Sequence, residues 1–497
     1  MENFVSTLNG IIWSPALIYL CLAAGLFYTC WTRAVQVRQF KEMLRLLTSN
    51  KSSAMGISSF QALTVSLSGR VGTGNIAGVA AAIGFGGPGA IFWMWIVAIF
   101  GAATAYIEAT LAQIYKEVHE GQYRGGPAYY IEKAMGQTWY AWIFAVATII
   151  ACGILLPTVQ SNAIGNAVVQ TFGPGTMVET SLGQLESTKI ITGAVIVTIL
   201  GFIIFGGVKR IANFAQVVVP FMALAYIITA VVIVAINAAE LPGIIAMIFE
   251  DAFTPMAGFG AAIGWGVKRG VYSNEAGQGT APHAAAAAEV EHPAQQGLVQ
   301  SFSIYVDTLF VCSATAFMIL ITGAYNVHPE GAAILIQNVD PSTVIASPVF
   351  TQMAIESVMP GIGIPFVALA LFFFSFTTLM AYYYIAESNV VYIKRFIKLP
   401  GAILTLKVVL MSAVFYGTVK SASVAWGMGV IGVGLMAWVN IIGILIIWFT
   451  TRIHTLTNFV LHEIYVWKLI HHPLKYLLSM ITLPVSHSMN NRDRPNI

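Results

Sequence analysis

Residues 66–84, SLSGRVGTGNIAGVAAAIG, form an apolar segment long enough to cross a bilayer, and Gly69, Gly72, Gly74 and Gly78 crowd its first half. A helix interior disfavours Gly by about 1 kcal/mol relative to Ala. The run Gly72-Thr73-Gly74-Asn75 therefore predicts a transmembrane helix that breaks partway. Backbone amides and carbonyls without intrahelical partners persist at bilayer depth only where protein buries them or they line a cavity. The rest of the chain has to supply the walls around this break.

Only 9% of the 497 residues are charged and 57% are hydrophobic, whereas a soluble domain carries about 25% charged residues. This is the composition of a polytopic membrane protein. Apolar runs near the roughly 20 residues that span a bilayer predict eleven helices, at 12–32, 58–86, 88–116, 139–171, 189–207, 212–237, 255–282, 296–324, 362–393, 402–419 and 423–450. They form one membrane domain over 1–455, with a short outside helix at 345–358 and an amphipathic cytoplasmic tail over 456–497. With Glu2 and no basic residue ahead of it, the first helix reads as retained and not as a cleaved signal.

Basic residues gather on the cytoplasmic side. Arg33, Arg38, Lys41, Arg45 and Lys51 follow the first helix, which places the N-terminus outside. Alternation then puts Lys116, Arg124 and Lys133, Lys209 and Arg210, Lys394, Arg395 and Lys398, and the tail inside. Outside fall Glu179, Glu186, Glu240, Glu250, Asp251, Glu330 and Asp340, with Lys189 and Lys420 as exceptions.

Cys21, Cys30, Cys152 and Cys312 all lie in apolar runs without metal or CxxC spacing and read as packing residues. Histidines 454, 462, 471 and 472 in the tail lack an acidic partner at ligand spacing. The glycines at 72–78 do not make a dinucleotide fingerprint, because the last gap is one residue too long and no strand precedes them. Gly74 and Gly78 form a GxxxG pair, so a helix-packing face is the alternative to a break. Gly72, Thr73 and Asn75 add polarity that packing alone does not call for.

A second irregular stretch, 258–283, reads GFGAAIGWGVKRGVYSNEAGQGTAPH and carries seven glycines before Thr280, the adjacent cations Lys268 and Arg269, and the polar run Ser273-Asn274-Glu275. Two glycine-interrupted membrane segments, one in each half of a chain, point to a transporter site at the interface of inverted repeats. The break is expected at Gly264–Gly266, and a re-entrant or cytoplasmic loop over 268–278 is the alternative. Arg70, Glu108, Lys268 and Asp307 are ionisable residues at membrane depth, where such groups default to functional candidates.

The strings SLSGRVGTGNIAGVA, GGPGAIFWMW, GGPAYYIEKAMG and GVYSNEAGQGTAPHAAA together resemble the bacterial and archaeal alanine or glycine:cation symporter family, within the amino acid-polyamine-organocation superfamily, up to about residue 455. The resemblance implies an all-α leucine-transporter fold of five plus five inverted-repeat helices (58–237 and 255–450) after one extra helix at 12–32. It implies Na⁺-driven uptake of alanine or glycine, with Na⁺ the coupling ion and no cofactor. The amides of Gly72, Thr73 and Gly74 would take the substrate carboxylate, Asn75 would add a side-chain contact, and carbonyls near Ser68 or Gly264 would accept from the amino group. An exposed helix N-terminus suits an anion.

By the same resemblance, carbonyls of Ser68, Val71 and Phe374 with the hydroxyls of Thr377 and Thr378 would hold Na⁺, a hard cation that prefers oxygen. The alternative is that these threonines bond their own preceding turn. Tyr382, where relatives often carry Trp, and Trp265 would close the side-chain pocket; Gln160 or Asn162 would touch substrate or serve as helix glue. Asp307 stands where the fold supplies a second sodium ligand, and an ion pair with Arg70 is expected to occupy that place. Glu108 and the loop at 125–128 receive no role.

Neither a P-loop, an HExxH motif nor a nucleophile elbow occurs, so the expectation is a carrier and not an ATP-driven pump or an enzyme. Its partners would be a small neutral amino acid, Na⁺ and the lipid bilayer of a bacterial or archaeal inner membrane, without nucleic acid. A proton-coupled permease of the same fold is the rival.

Overall fold

The computed structural model describes residues 2–48, 55–180, 183–253, 258–329, 331–342, 348–420 and 422–450. The expected tail helix and Lys51 lie outside the described residues. In chain order the main helices are α1 (Glu2–Ile12), α2 (Pro15–Trp31), α3 (Ser59–Arg70), α4 (Val79–Gly86), α5 (Gly89–Ile114), α6 (Thr138–Ile150), α7 (Leu156–Phe172), α8 (Ser187–Ile204) and α9 (Gly207–Ile236). After these come α10 (Leu241–Phe253), α11 (Phe259–Asn274), α12 (Ala281–Ala287), α13 (Pro293–Ile304), α14 (Ser313–Ile321), α15 (Val349–Val358), α16 (Gly363–Lys394), α17 (Ala402–Val419) and α18 (Ala422–Thr450).

Among the described residues nine helices are long and apolar enough to cross a membrane. Two of them, Thr138–Phe172 and Pro293–Ile321, are continuous through a π-helical stretch, at Ala151–Leu155 and Tyr305–Cys312. The pairs α3/α4 and α11/α12 are interrupted instead, and the expected total of eleven depends on counting each as one crossing. Three short antiparallel hairpins, pairing 117–119 with 122–124, 177–180 with 183–186 and 326–327 with 336–337, were not anticipated.

Local chemistry sets where these elements begin. Ser58 and Gln61 form a reciprocal capping box at the start of α3, with Gln61 N–H donating to Ser58 Oγ at 3.2 Å and Ser58 N–H donating to Gln61 Oε1 at 3.0 Å. The turn into α5 passes through Gly87 at φ +82°. The first free amide of α5, Gly89 N–H, donates to Asp251 Oδ2 at 2.7 Å. Glu250 and Asp251 are thus part of α10 and not of a loop, and Asp251 is buried because it caps another helix.

Met1–Ile447 form one compact unit; of Trp448–Ile497, only the last residues of α18 are described. Two groups of helices make up the larger unit. In one, α5 packs along α2, α10, α11, α12 and α13; in the other, α7 packs against α16 and α17, and α8 against α17. Helix α3 joins them, touching α12 on one side and α9 and α16 on the other.

The two interrupted segments run in opposite senses. Ile57 N–H donates to Ala287 O (2.9 Å) and Glu289 N–H to Ile57 O (2.8 Å), so the start of α3 meets the end of α12. That face also carries the first hairpin, where Tyr123 N–H donates to Met55 O and Lys116 Nζ to Ala288 O, at 3.0 and 2.9 Å. A buried ion pair of 3.1 Å between Arg124 and Glu387 fastens the hairpin to α16. At the other face Gly86 lies against Trp265, where an added Cβ would come within 3.0 Å of the Trp265 Cβ, so α4 meets α11 there.

Asp251→Ala removes the cap of α5 and is expected to cost about 1 kcal/mol. The measurement is the thermal unfolding midpoint of the purified protein in detergent, which should fall; an unchanged midpoint contradicts the capping role.

Candidate functional site

Helix α3 stops at Arg70 because Val71 adopts an extended conformation (φ −76°, ψ 91°), and the chain resumes as a π turn over Gly74–Gly78. The freed amides find side-chain oxygens. Gly72 N–H donates to Asn75 Oδ1 at 2.8 Å and Thr73 N–H donates to Gln160 Oε1 of α7 at 3.1 Å. A Cβ at position 72 would lie 2.7 Å from Thr378 Oγ1 and 2.9 Å from Gln160 Oε1, so only Gly fits there. Gly74 lies against Ser273 Cα and the Tyr272 ring, both 3.2 Å from an added Cβ, whereas Gly78 has no neighbour closer than 4.0 Å. The packing alternative thus describes Gly74 and not Gly78.

Beside the break, Thr378 Oγ1 is 3.3 Å from Val71 O and 2.9 Å from Phe374 O. Thr377 Oγ1 is 2.9 Å from the same Phe374 carbonyl and 3.0 Å from Phe373 O. Both hydroxyls therefore bond their preceding turn, and Thr378 in addition reaches across to α3. Ser68 Oγ turns back onto Val65 O at 2.7 Å. Val71, Phe374, Thr377 and Thr378 are thereby brought together as oxygen donors, the type that a hard cation takes.

The second break is not at Gly264–Gly266. Helix α11 runs unbroken through those residues to Asn274 and is interrupted at Glu275 (φ +55°), Gly277 (+79°) and Gly279 (+80°). The earlier glycines serve close packing on α5: an added Cβ would lie 2.5 Å from Ala90 O at Gly266 and 2.9 Å from Val97 Cγ1 at Gly270. Gly264 and Trp265 therefore stand about 15 Å of helix away from the break. Trp265 stacks on Phe85 at 4.6 Å and carries the Lys268 and Arg269 cations over its ring at 5.0 and 4.9 Å. Tyr272 and Ser273 face the first break in its place. The signal for this was the run Ser273-Asn274-Glu275, a denser polar stretch than the glycines before it. Tyr382, buried one turn beyond Thr378, faces the Glu275 carboxyl and not Trp265.

Arg70 and Asp307 do not form the expected ion pair. The Asp307 carboxylate accepts from Asn75 Nδ2 (2.7 Å), from Ser273 Oγ (3.1 and 2.9 Å to its two oxygens) and from Thr308 Oγ1 (2.7 Å). The Arg70 guanidinium donates to Gln300 O at 3.5 Å and to Ser303 Oγ. Gln300 and Ser303 precede Asp307 by two turns and one turn, so the end of α3 aims Arg70 below the aspartate. Neutral donors then meet the carboxylate.

Glu108, for which the sequence suggested no role, lies on the second break. Its carboxylate accepts from Gly277 N–H at 3.4 Å and from Asn440 Nδ2 at 2.9 Å, and Asn440 also donates to Gly277 O at 2.9 Å. Helices α5 and α18 are thus stitched to the interruption. Asn162 donates to Gly417 O and Lys420 O at 3.0 and 2.7 Å and is helix glue between α7 and α17, while Gln160 points to the break.

The model of the sodium:alanine symporter family matches residues 1–462. The chain belongs to that family. Among its relatives is YrbD of Bacillus subtilis, whose name proposes a sodium/proton-dependent alanine carrier protein, 55% identical over 90% of this chain and 90% of its own length. The sodium/proton-dependent alanine carrier protein of Bacillus sp. strain PS3 is 47% identical over 82% of this chain and 88% of its own. Among solved structures, MhsT in complex with L-phenylalanine matches with a TM-score of 0.53 at 14% identity, covering 80% of this chain and all of that one. The fold is therefore that of the leucine transporter, in a multi-pass membrane protein of a carrier family.

Asn75 joins Gly72 N–H to Asp307, so Asn75→Ala leaves the buried Gly72 N–H without a partner and takes one of its donors from Asp307, at a cost of about 1–3 kcal/mol. Thermal unfolding should show a loss of stability larger than that of a surface Asn→Ala control. Equal midpoints would remove Asn75 from the network.

Proposed function

We propose that the protein is a secondary active symporter that couples Na⁺ influx to uptake of a small neutral amino acid, alanine or glycine, by alternating access. It works in the inner membrane of a bacterium or archaeon with its N-terminus outside and its C-terminus cytoplasmic, the sidedness that the basic loops favour. The observation that carries the reading is the pair of amide oxygens, from Asn75 and Gln160, seated on the N–H groups of Gly72 and Thr73. A carboxylate oxygen is the same kind of acceptor with more charge, and it replaces Gln160 Oε1 on Thr73 N–H when substrate arrives.

Support for Na⁺ comes from the oxygens that adjoin those amides. Val71 O and Phe374 O both lie within hydrogen-bonding distance of the Thr378 hydroxyl, at 3.3 and 2.9 Å. Na⁺ bound there joins α3 to α16, orders the end of the broken helix and so prepares the amides next to it. Binding of cation and substrate is then cooperative through a shared backbone segment. The relatives' names add protons as a second coupling ion, so a proton-driven carrier is the second reading.

Labelled alanine uptake into proteoliposomes separates the two. An inward Na⁺ gradient should drive accumulation at constant pH, and a proton gradient alone should drive less; uptake indifferent to Na⁺ overturns the reading. Thr378→Ala removes one oxygen ligand and is expected to raise the half-saturating Na⁺ concentration about tenfold, equivalent to about 1.4 kcal/mol. The concentration dependence of Na⁺-driven uptake measures this.

A further inference from the structure

Below the first break, toward the face that carries the Glu117–Arg124 hairpin, a small cavity opens between α3, α12 and α16. Ser66, Gly69, Glu275, Thr280 and Tyr384 are among its lining residues. About 10 Å³ of it is open to the centre of a water molecule, near the minimum that holds one water or a small ion. Most of the remaining wall is Val, Ala and Ile.

Two buried oxygens that line this space are incompletely satisfied. Glu275 is 2% exposed and Ser66 5% exposed; Ser66 Oγ has no hydrogen-bond partner and Glu275 Oε1 no close one, the Tyr382 hydroxyl being the donor that faces the carboxyl from α16. The other carboxylate oxygen, Oε2, accepts from Thr280 Oγ1 at 2.7 Å. It would also lie 3.2 Å from a Cβ added at Gly69, so the carboxylate sits against the backbone of α3. The charged group that faces it from α3 is Arg70, whose guanidinium is turned to Gln300 O and Ser303 Oγ. Arg70 Nε and Nη2 have no hydrogen-bond partner, and among the described residues Arg70 makes no ion pair with Glu275. Tyr382 and Tyr384 face the cavity region from α16. A buried carboxylate with an incompletely satisfied oxygen and no direct counter-ion is costly unless something positive is drawn to it.

The same two helices hold the oxygens of the upper cation candidate. Ser66 lies five residues before Val71 on α3, and Ala381, also in the cavity wall, three residues after Thr378 on α16. The cavity is thus about 5–8 Å of helix below that site. We propose that Glu275, with Ser66 and Thr280, forms a second and transient Na⁺ site, through which the coupling cation passes on its way to the cytoplasm. This rests on the symport reading of the protein. Three oxygens are fewer than Na⁺ takes in a tight site, and waters complete the shell. Low affinity is what a release site needs, because a cation held strongly there would not leave. The cavity is too small for an amino acid, which excludes substrate as its occupant.

The test uses the full-length protein in proteoliposomes and reads inhibition of Na⁺-driven alanine uptake by Na⁺ inside the vesicle. Glu275→Gln keeps the shape and removes the charge. It is expected to raise the internal Na⁺ concentration that halves uptake by about tenfold, the scale of one lost charged contact, and to raise it more than it raises the external half-saturating concentration. Ser66→Ala should shift the internal value in the same direction by a smaller factor, and it supplies the readout if Glu275→Gln does not fold. Internal inhibition unchanged in both variants overturns the proposal. So does a Glu275→Gln protein whose Na⁺ response is intact while its uptake loses pH dependence, since the carboxylate then carries a proton. If wild-type uptake ignores external Na⁺, it is the symport reading that fails, and this is visible before any variant is compared.

Discussion

The Asn75 side chain hydrogen-bonds in two opposite directions, and the arrangement of the core depends on this. Its carbonyl oxygen holds Gly72 N–H, which the interrupted helix leaves free, and its amide group donates to Asp307 on the far side. A backbone group without a partner at this depth costs several kcal/mol, so the break exists only because a side chain three residues on can turn back and cap it. Asp307 in turn collects Ser273 and Thr308. One residue thereby links the first break, the second broken helix and the π-helical stretch Tyr305–Cys312.

Around this point the two breaks are held differently. The first is satisfied by neutral amides, Asn75 and Gln160. The second is held by a carboxylate, with Glu108 on Gly277 N–H and Asn440 closing the loop from α18. The first break is thus held by uncharged side chains of its own segment and of α7, the second by side chains of α5 and α18. The hairpin latched by Arg124 and Glu387 lies on the face where α3 and α12 meet.

The first break was legible in the sequence. Gly72 to Asn75 announced it because glycine density and polarity both opposed a lipid-facing helix, whereas Thr377 and Thr378 entered only through the family resemblance. Gly264 and Trp265 misled for a physical reason: glycine also serves close helix packing, and a chain read one residue at a time does not say which use applies. Gly266 and Gly270 seat α11 on α5, and the interruption came where glycines and polar side chains coincide, at 275–279. The expected Arg70–Asp307 pair failed in a similar way. Opposite charges at the same depth attract only if their side chains point at each other, and the end of α3 aims Arg70 about one turn too low.

The sequence by itself determined the membrane class, the position of the first break, the approximate spans and the family, because these follow from local composition and from strings of adjacent residues. Only the tertiary structure decided which partner each freed amide takes, that Glu108 belongs to the second break, that Asn162 is glue while Gln160 is not, and that Glu275 and Ser66 share a cavity. Those contacts join residues tens to hundreds of positions apart. Hydrogen bonds act over about 3 Å, and whether two such groups come that close is set by how whole helices pack.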